Sequence, residues 1–145
     1  MQAWYLGMAY TIDKVVLSAA WGRGLNGAFS GSGPGNNLSG STLASLTGNA
    51  NMLFSEGFNQ DAYLLGLSWA INQRTQLMVS WQMLKPTGQL QTRPNVGKQQ
   101  IAGAAMTYQL SPRTTAYVWA SHGDNFELAS GARASVVGTG FQTLF

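Results

Sequence analysis

The stretch "VVGTGFQTLF", residues 136–145, carries the first decision about the fold. Taken in steps of two, Val137, Thr139, Phe141, Thr143 and Phe145 are bulky or β-branched, whereas Val136, Gly138, Gly140, Gln142 and Leu144 are mostly small or polar. A period of two with unlike faces is the pattern of a β-strand. Chain ends normally fray into water, so an aromatic final residue needs something to hold it. The strand is therefore expected to run to Phe145.

The same alternation recurs upstream. Segments at about 2–12 (Trp4, Leu6, Met8, Tyr10, Ile12), 15–22 (Val15, Leu17, Ala19, Trp21), 62–71 (Tyr63, Leu65, Leu67, Trp69, Ile71) and 75–84 (Leu77, Val79, Trp81, Met83) each carry one apolar face. A fifth, at about 100–110, carries Ala102, Ala104, Met106, Tyr108 and Leu110. The sixth, at about 114–121, has Tyr117 and Trp119 on one side and Ala116, Val118 and Ala120 on the other, and either could be the apolar face. With 134–145 that makes seven strands. Tight turns at 13–14, 72–74 and 111–113 alternate with longer connections at about 23–61, 85–99 and 122–133. The turns share a local pattern in "YTIDKVVL", "WAINQRTQL" and "YQLSPRTTAY": an aromatic, an Ile or Leu two residues on, then a polar turn ending in Lys or Arg. This is a hairpin repeat with insertions on one side only.

Charged residues make up 9% of the 145-residue chain, against roughly 25% in an average soluble domain. The hydrophobic fraction is nevertheless ordinary, with Gly, Ser, Asn, Gln and Thr filling the gap, which fits neither a disordered tail nor a helical membrane protein. The absence of cysteine removes thiolate metal sites, disulfides and thiol nucleophiles. The net charge of +3 forms no basic patch, so no nucleic-acid partner is expected. "MQAWYLGMAY" has neither the basic start nor the apolar core of a signal peptide, so the start is read as processed or as internal to a longer precursor.

The charges decide between water and lipid. Asp13, Lys14, Arg23, Glu56, Asp61, Arg74, Lys85, Arg93, Lys98, Arg113, Asp124, Glu127 and Arg133 all fall in turns, in loops or at strand ends. A soluble sandwich exposes charges on its outer faces. Here Trp4, Trp21, Trp81 and Trp119 lie toward the long-loop ends of the strands and Tyr10, Trp69 and Tyr108 toward the other, with Tyr63, Phe141 and Phe145 as further girdle residues. That is a double aromatic girdle around a charge-free band, the arrangement of a transmembrane β-barrel. The opposite faces carry Ser18, Ser68, Gln76, Ser80, Gln82, Thr107, Gln109 and Gln142, the candidate lumen lining. A soluble β-sandwich is the alternative fold, with the aromatic stripes as its core.

No motif points to chemistry. "GRGLNG", 22–27, matches G-x-G-x-x-G, but "AFSGSGPGNNLSGSTL" behind it cannot open the helix a dinucleotide site requires. His122, Asp124 and Glu127 could share a cation, yet their spacing is loose and a solvated loop explains them better. A single histidine and no evident Ser–His–acid set leave no catalytic, metal or cofactor site to assign.

"VVGTGFQTLF", "LSPRTTAYVWASHGDN" and "YLLGLSWAINQRTQLMVSW" together resemble the Gram-negative outer-membrane porins, especially the proteobacterial general porins. The resemblance implies a C-terminal Phe that helps assembly and a barrel of sixteen strands. It also implies a homotrimer in outer-membrane lipid and lipopolysaccharide, passing small hydrophilic solutes and ions by diffusion. Seven strands are too few and odd, so residues 1–145 are read as one porin-like wall segment, the C-terminal portion, with a long external loop at about 23–61. Another chain or further strands must close it. The alternative function is a non-conducting, structural wall that encloses or associates with another protein.

Overall fold

A computed structural model describes residues 2–26, 57–89, 91–92, 94, 96–128 and 130–144. Within them run seven strands: β1 (Gln2–Ile12), β2 (Val15–Leu25), β3 (Phe58–Ala70), β4 (Thr75–Gly88), β5 (Gln99–Ser111), β6 (Thr114–Asp124) and β7 (Arg133–Thr143). They form one sheet in chain order, and every neighbouring pair is antiparallel. A single 3₁₀ turn, Phe126–Leu128, sits between β6 and β7. Phe145, Arg93 and Glu56 lie outside the described residues, as do residues 27–56 of the long connection.

The tight turns form for local reasons. Asp13 has φ 50°, a left-handed conformation that Asp tolerates and that a two-residue hairpin needs. In the next hairpin the Asn72 carboxamide oxygen accepts from the amides of Arg74 at 2.8 Å and Thr75 at 2.9 Å, a side-chain mimic of a backbone turn. Between β5 and β6 the register shifts by one residue between Gln109 and Ser111, a bulge beside the Pro112–Arg113 turn. Each turn is also tied to the end of the strand that follows its hairpin. The amides of Ala70, Gln109 and Leu144 donate to the carbonyls of Lys14, Arg74 and Arg113 at 2.8–2.9 Å.

The strands run further toward the long-loop side than their apolar alternation indicates. β2 continues to Leu25 and β3 begins at Phe58, so both ends of the expected 23–61 loop are strand. β4 reaches Gly88 and β6 reaches Asp124. Strand pairing needs only backbone hydrogen bonds, so it outlasts the apolar band. Arg23, Asp61, Lys85, Asp124 and Arg133 are consequently strand residues, gathered at the long-loop ends.

The sheet is a single layer. Among the described residues Leu128 is the one buried hydrophobe, while Met8, Val137 and Phe141 are 74%, 75% and 73% exposed. A sandwich would cover one face with a second sheet about 10 Å away. No such layer exists among the described residues. β1 and β7 remain as edges, and every residue of β1 is exposed.

Candidate pore wall

Register assigns the faces. Following partners across the sheet, one row reads Ser18–Gly66–Ser80–Gly103–Ser121–Val136. The next reads Val16–Ser68–Met78–Ala105–Trp119–Gly138, and a third Gln76–Thr107–Tyr117–Gly140. Gln82 follows Leu64 and precedes Ile101, and Gln109 pairs with Thr115, which pairs with Gln142. Ser18, Ser68, Gln76, Ser80, Gln82, Thr107, Gln109 and Gln142 thus share one face. Gln76 Nε2 donates to Ser68 Oγ at 2.7 Å across β3 and β4. No strand residue on this face carries a charge among the described residues.

The opposite face holds Trp4, Tyr10, Trp21, Tyr63, Trp69, Trp81, Tyr108 and Phe141. Tyr10, Trp69, Tyr108 and Phe141 supply one aromatic each to β1, β3, β5 and β7, all near the short-turn side. Toward the long-loop side Trp4 and Trp21 meet edge to face, with centroids 4.4 Å apart. Above them lies the ion pair of Arg23 and Asp61, direct partners on β2 and β3, with contacts of 2.7 and 3.1 Å. The Asp61 side chain is 8% exposed and that of Arg23 42%, and the guanidinium carbon stands 5.9 Å from the Trp21 ring centroid. Lys85 is the next partner along the same row.

Trp119 departs from the expected girdle. Its register partners Ala105 and Gly138 put it, with Tyr117, on the face of the polar candidates. Ala116, Val118 and Ala120 occupy the aromatic face instead. The cause is packing. Gly138 and Gly140 leave recesses on β7, and a Cβ at either would collide with the Trp119 indole or the Tyr117 ring. Tyr5, also on the polar face, lies over Gly22 in the same way. A glycine two residues from another, opposite a strand with aromatics at the same spacing, is the sequence signal for this arrangement.

On β6 and β7 the long-loop end of the aromatic face is polar. Ser135 Oγ and His122 Nδ1 are 2.7 Å apart, His122 Nε2 is 3.7 Å from Asp124 Oδ1, and Arg133 Nε is 3.2 Å from that same oxygen. Sequence reasoning found no Ser–His–acid set, yet strand pairing assembles these three. The 3.7 Å separation is too long for a hydrogen bond, and Asp124 is engaged by Arg133, so no carboxylate orients the imidazole. The arrangement is a surface polar cluster.

The connections toward this side include one built element. Gly97 N donates to Leu128 O at 2.7 Å, Asn125 Nδ2 to Lys98 O at 2.8 Å, and Gly131 N to Asn125 Oδ1 at 2.8 Å. The first two bonds join the β4–β5 and β6–β7 connections, and the third closes the β6–β7 connection on itself. Phe126 reaches over Gly123 on the polar face.

A one-layer antiparallel sheet with an aromatic, charge-free band on one side and a neutral Ser/Gln face on the other is a wall of a transmembrane β-barrel. The comparisons specify which. The Gram-negative porin family profile matches residues 1–127, and the chain belongs to that family. An outer membrane porin protein of Bordetella pertussis is 30% identical over 142 residues, which covers 97% of this chain and 35% of the relative. The chain thus spans about a third of the length of that curated relative. No solved structure matches. That membership places the chain in the bacterial outer membrane.

Proposed function

We propose that this chain is part of the wall of a water-filled channel through which small hydrophilic solutes and ions diffuse passively, with no bond made or broken. The observation that carries this is the neutral polar face, which register gathers from β2 to β7 and which no second layer covers among the described residues. In lipid those side chains would be desolvated at a cost, and facing a wet lumen they are not. The aromatic face then contacts outer-membrane lipid and lipopolysaccharide.

Closure requires more strands. β1 and β7 run in the same direction, so direct pairing between them would be parallel. An unpaired edge cannot stand in hydrocarbon. An odd number of further strands restores an antiparallel barrel, and the family resemblance supports a total of sixteen and a homotrimeric assembly.

A second reading rests on a different observation. A groove of about 310 Å³ on the polar face, lined by Tyr5, Leu64, Leu84 and Ile101 among others, is largely apolar. Such a surface suits a packed occupant, as in a non-conducting wall around another protein. Single-channel recording on the closed barrel in planar bilayers separates the two. Discrete conductance steps support the channel, and a barrel that inserts without conducting supports the scaffold.

A further inference from the structure

Tyr117 and Trp119 stand two residues apart on β6 and face the same side as Ser80 and Gln82. Each lies over a glycine of β7 rather than rising from the wall. A Cβ at Gly138 would come within 2.6 Å of Trp119 Cε2, and one at Gly140 within 2.7 Å of Tyr117 Cζ. The rings form a shelf against the backbone, each 38% exposed. Beside Trp119 runs a groove of about 310 Å³ with Gly103 and Ala105 as its floor and Ser80, Gln82 and Ser121 along it. A volume near 300 Å³ is at the small end of ligand sites.

We propose that this shelf is a stacking subsite for the ring of a neutral sugar. The proposal rests on the reading of this face as the lumen. The chemistry matches on three counts. A sugar ring presents C–H groups on its faces, which suit an aromatic surface. Its hydroxyls project from the ring edge, where serine hydroxyls and a glutamine amide can both donate and accept. No charged strand residue lies on this face among the described residues, so an organic acid would find no partner for its carboxylate.

The test uses the complete barrel containing this chain, in planar bilayers, with maltohexaose as the probe. The expected result is brief, reversible interruption of the open-channel current by the sugar. Trp119→Ala shortens the interruptions by about tenfold, the scale of one lost stacking contact. Trp119→Phe keeps most of their duration. Gly138→Ala shortens them without altering either ring, because its Cβ lifts the indole off the wall, so the test survives if Trp119→Ala does not assemble. Interruptions unchanged in both Trp119→Ala and Gly138→Ala overturn the subsite, as does a conducting channel that the sugar never interrupts. Interruption by choline with none by the sugar also overturns it, marking a cation site. A barrel that does not conduct at all overturns the channel reading, and the subsite with it.

Discussion

Gly22, Gly138 and Gly140 each sit opposite a ring on the neighbouring strand, and each would lose that contact on gaining a Cβ. Glycine weakens a strand by its entropy and its missing side chain, and a ring laid over it recovers part of that loss. The opening stretch was therefore only half legible. Its period of two gave a strand, but Gly138 and Gly140 read as merely small when they are the recesses that turn Trp119 and Tyr117 to the polar face. At this scale an arginine scan reads the faces directly. Leu67→Arg and Val79→Arg should destabilise the barrel by about 2–4 kcal/mol each, or block assembly, as a charge in the hydrocarbon band does. Val118→Arg should join them, because β6 presents Val118 on the same face. Ser68→Arg and Ser80→Arg should be tolerated far better. The measurement is the temperature at which the folded band is lost on a semi-native gel, and equal damage on both faces would mean a packed rather than wet interior. The Arg23–Asp61 pair gives a second test by its asymmetry. Asp61 is buried and Arg23 is part-exposed. Arg23→Ala strands a desolvated carboxylate and should lower that temperature more than Asp61→Ala, which leaves a guanidinium that water can reach.

The hairpin is the element that repeats, and its two ends were unequally legible. The short turns were readable because turn chemistry is local: Asp13 at φ 50°, the Asn72 side-chain bonds and the Ser-Pro-Arg turn all follow from the residues at the turn. The long-loop ends were not. There the strands continue through Arg23, Asp61, Lys85 and Asp124, where apolar alternation has stopped but backbone pairing has not. β6 was ambiguous by itself because both its faces are apolar, and only its neighbours' register settles it. Asn72→Ala removes two amide acceptors at the β3–β4 turn and should cost about 1 kcal/mol, since exposed amides can turn to water instead. Asp13→Val should cost about 1–2 kcal/mol for a β-branched residue in the left-handed region, while Asp13→Gly should be near neutral. Unfolding in urea from detergent micelles measures all three. A cost for Asp13→Gly matching that of Asp13→Val would show that the Asp side chain, not the backbone, holds the turn.

At the scale of the molecule, strand direction fixes which connections share a side. Asp13–Lys14, Asn72–Arg74 and Ser111–Arg113 lie together, and the longer connections lie opposite. In a porin the short turns face the periplasm. Trypsin added to intact cells should therefore cut at Lys98, which is exposed in the β4–β5 connection, and leave Arg74 and Arg113 intact. Cleavage at either arginine from outside would invert the orientation. The placement of charge across the whole sheet leads to the selectivity of the pore. Strong ion preference requires fixed charge close to the permeating ion. Arg23, Asp61, Lys85, Asp124 and Arg133 all stand on the aromatic face, away from the Ser/Gln face proposed as the lining. Lys98 lies in a connection beyond the wall, and screening limits its reach to about 8 Å at physiological salt. Any strong selectivity of the closed barrel must then come from strands or loops other than the described residues. Lys85→Gln combined with Lys98→Gln should move the reversal potential in a salt gradient only slightly. The residual shift should vanish near 1 M salt, where the screening length falls to about 3 Å. A large shift that persists at about 1 M would place one of these lysines inside the narrow part of the channel, and the neutral-lining account of this wall would fail.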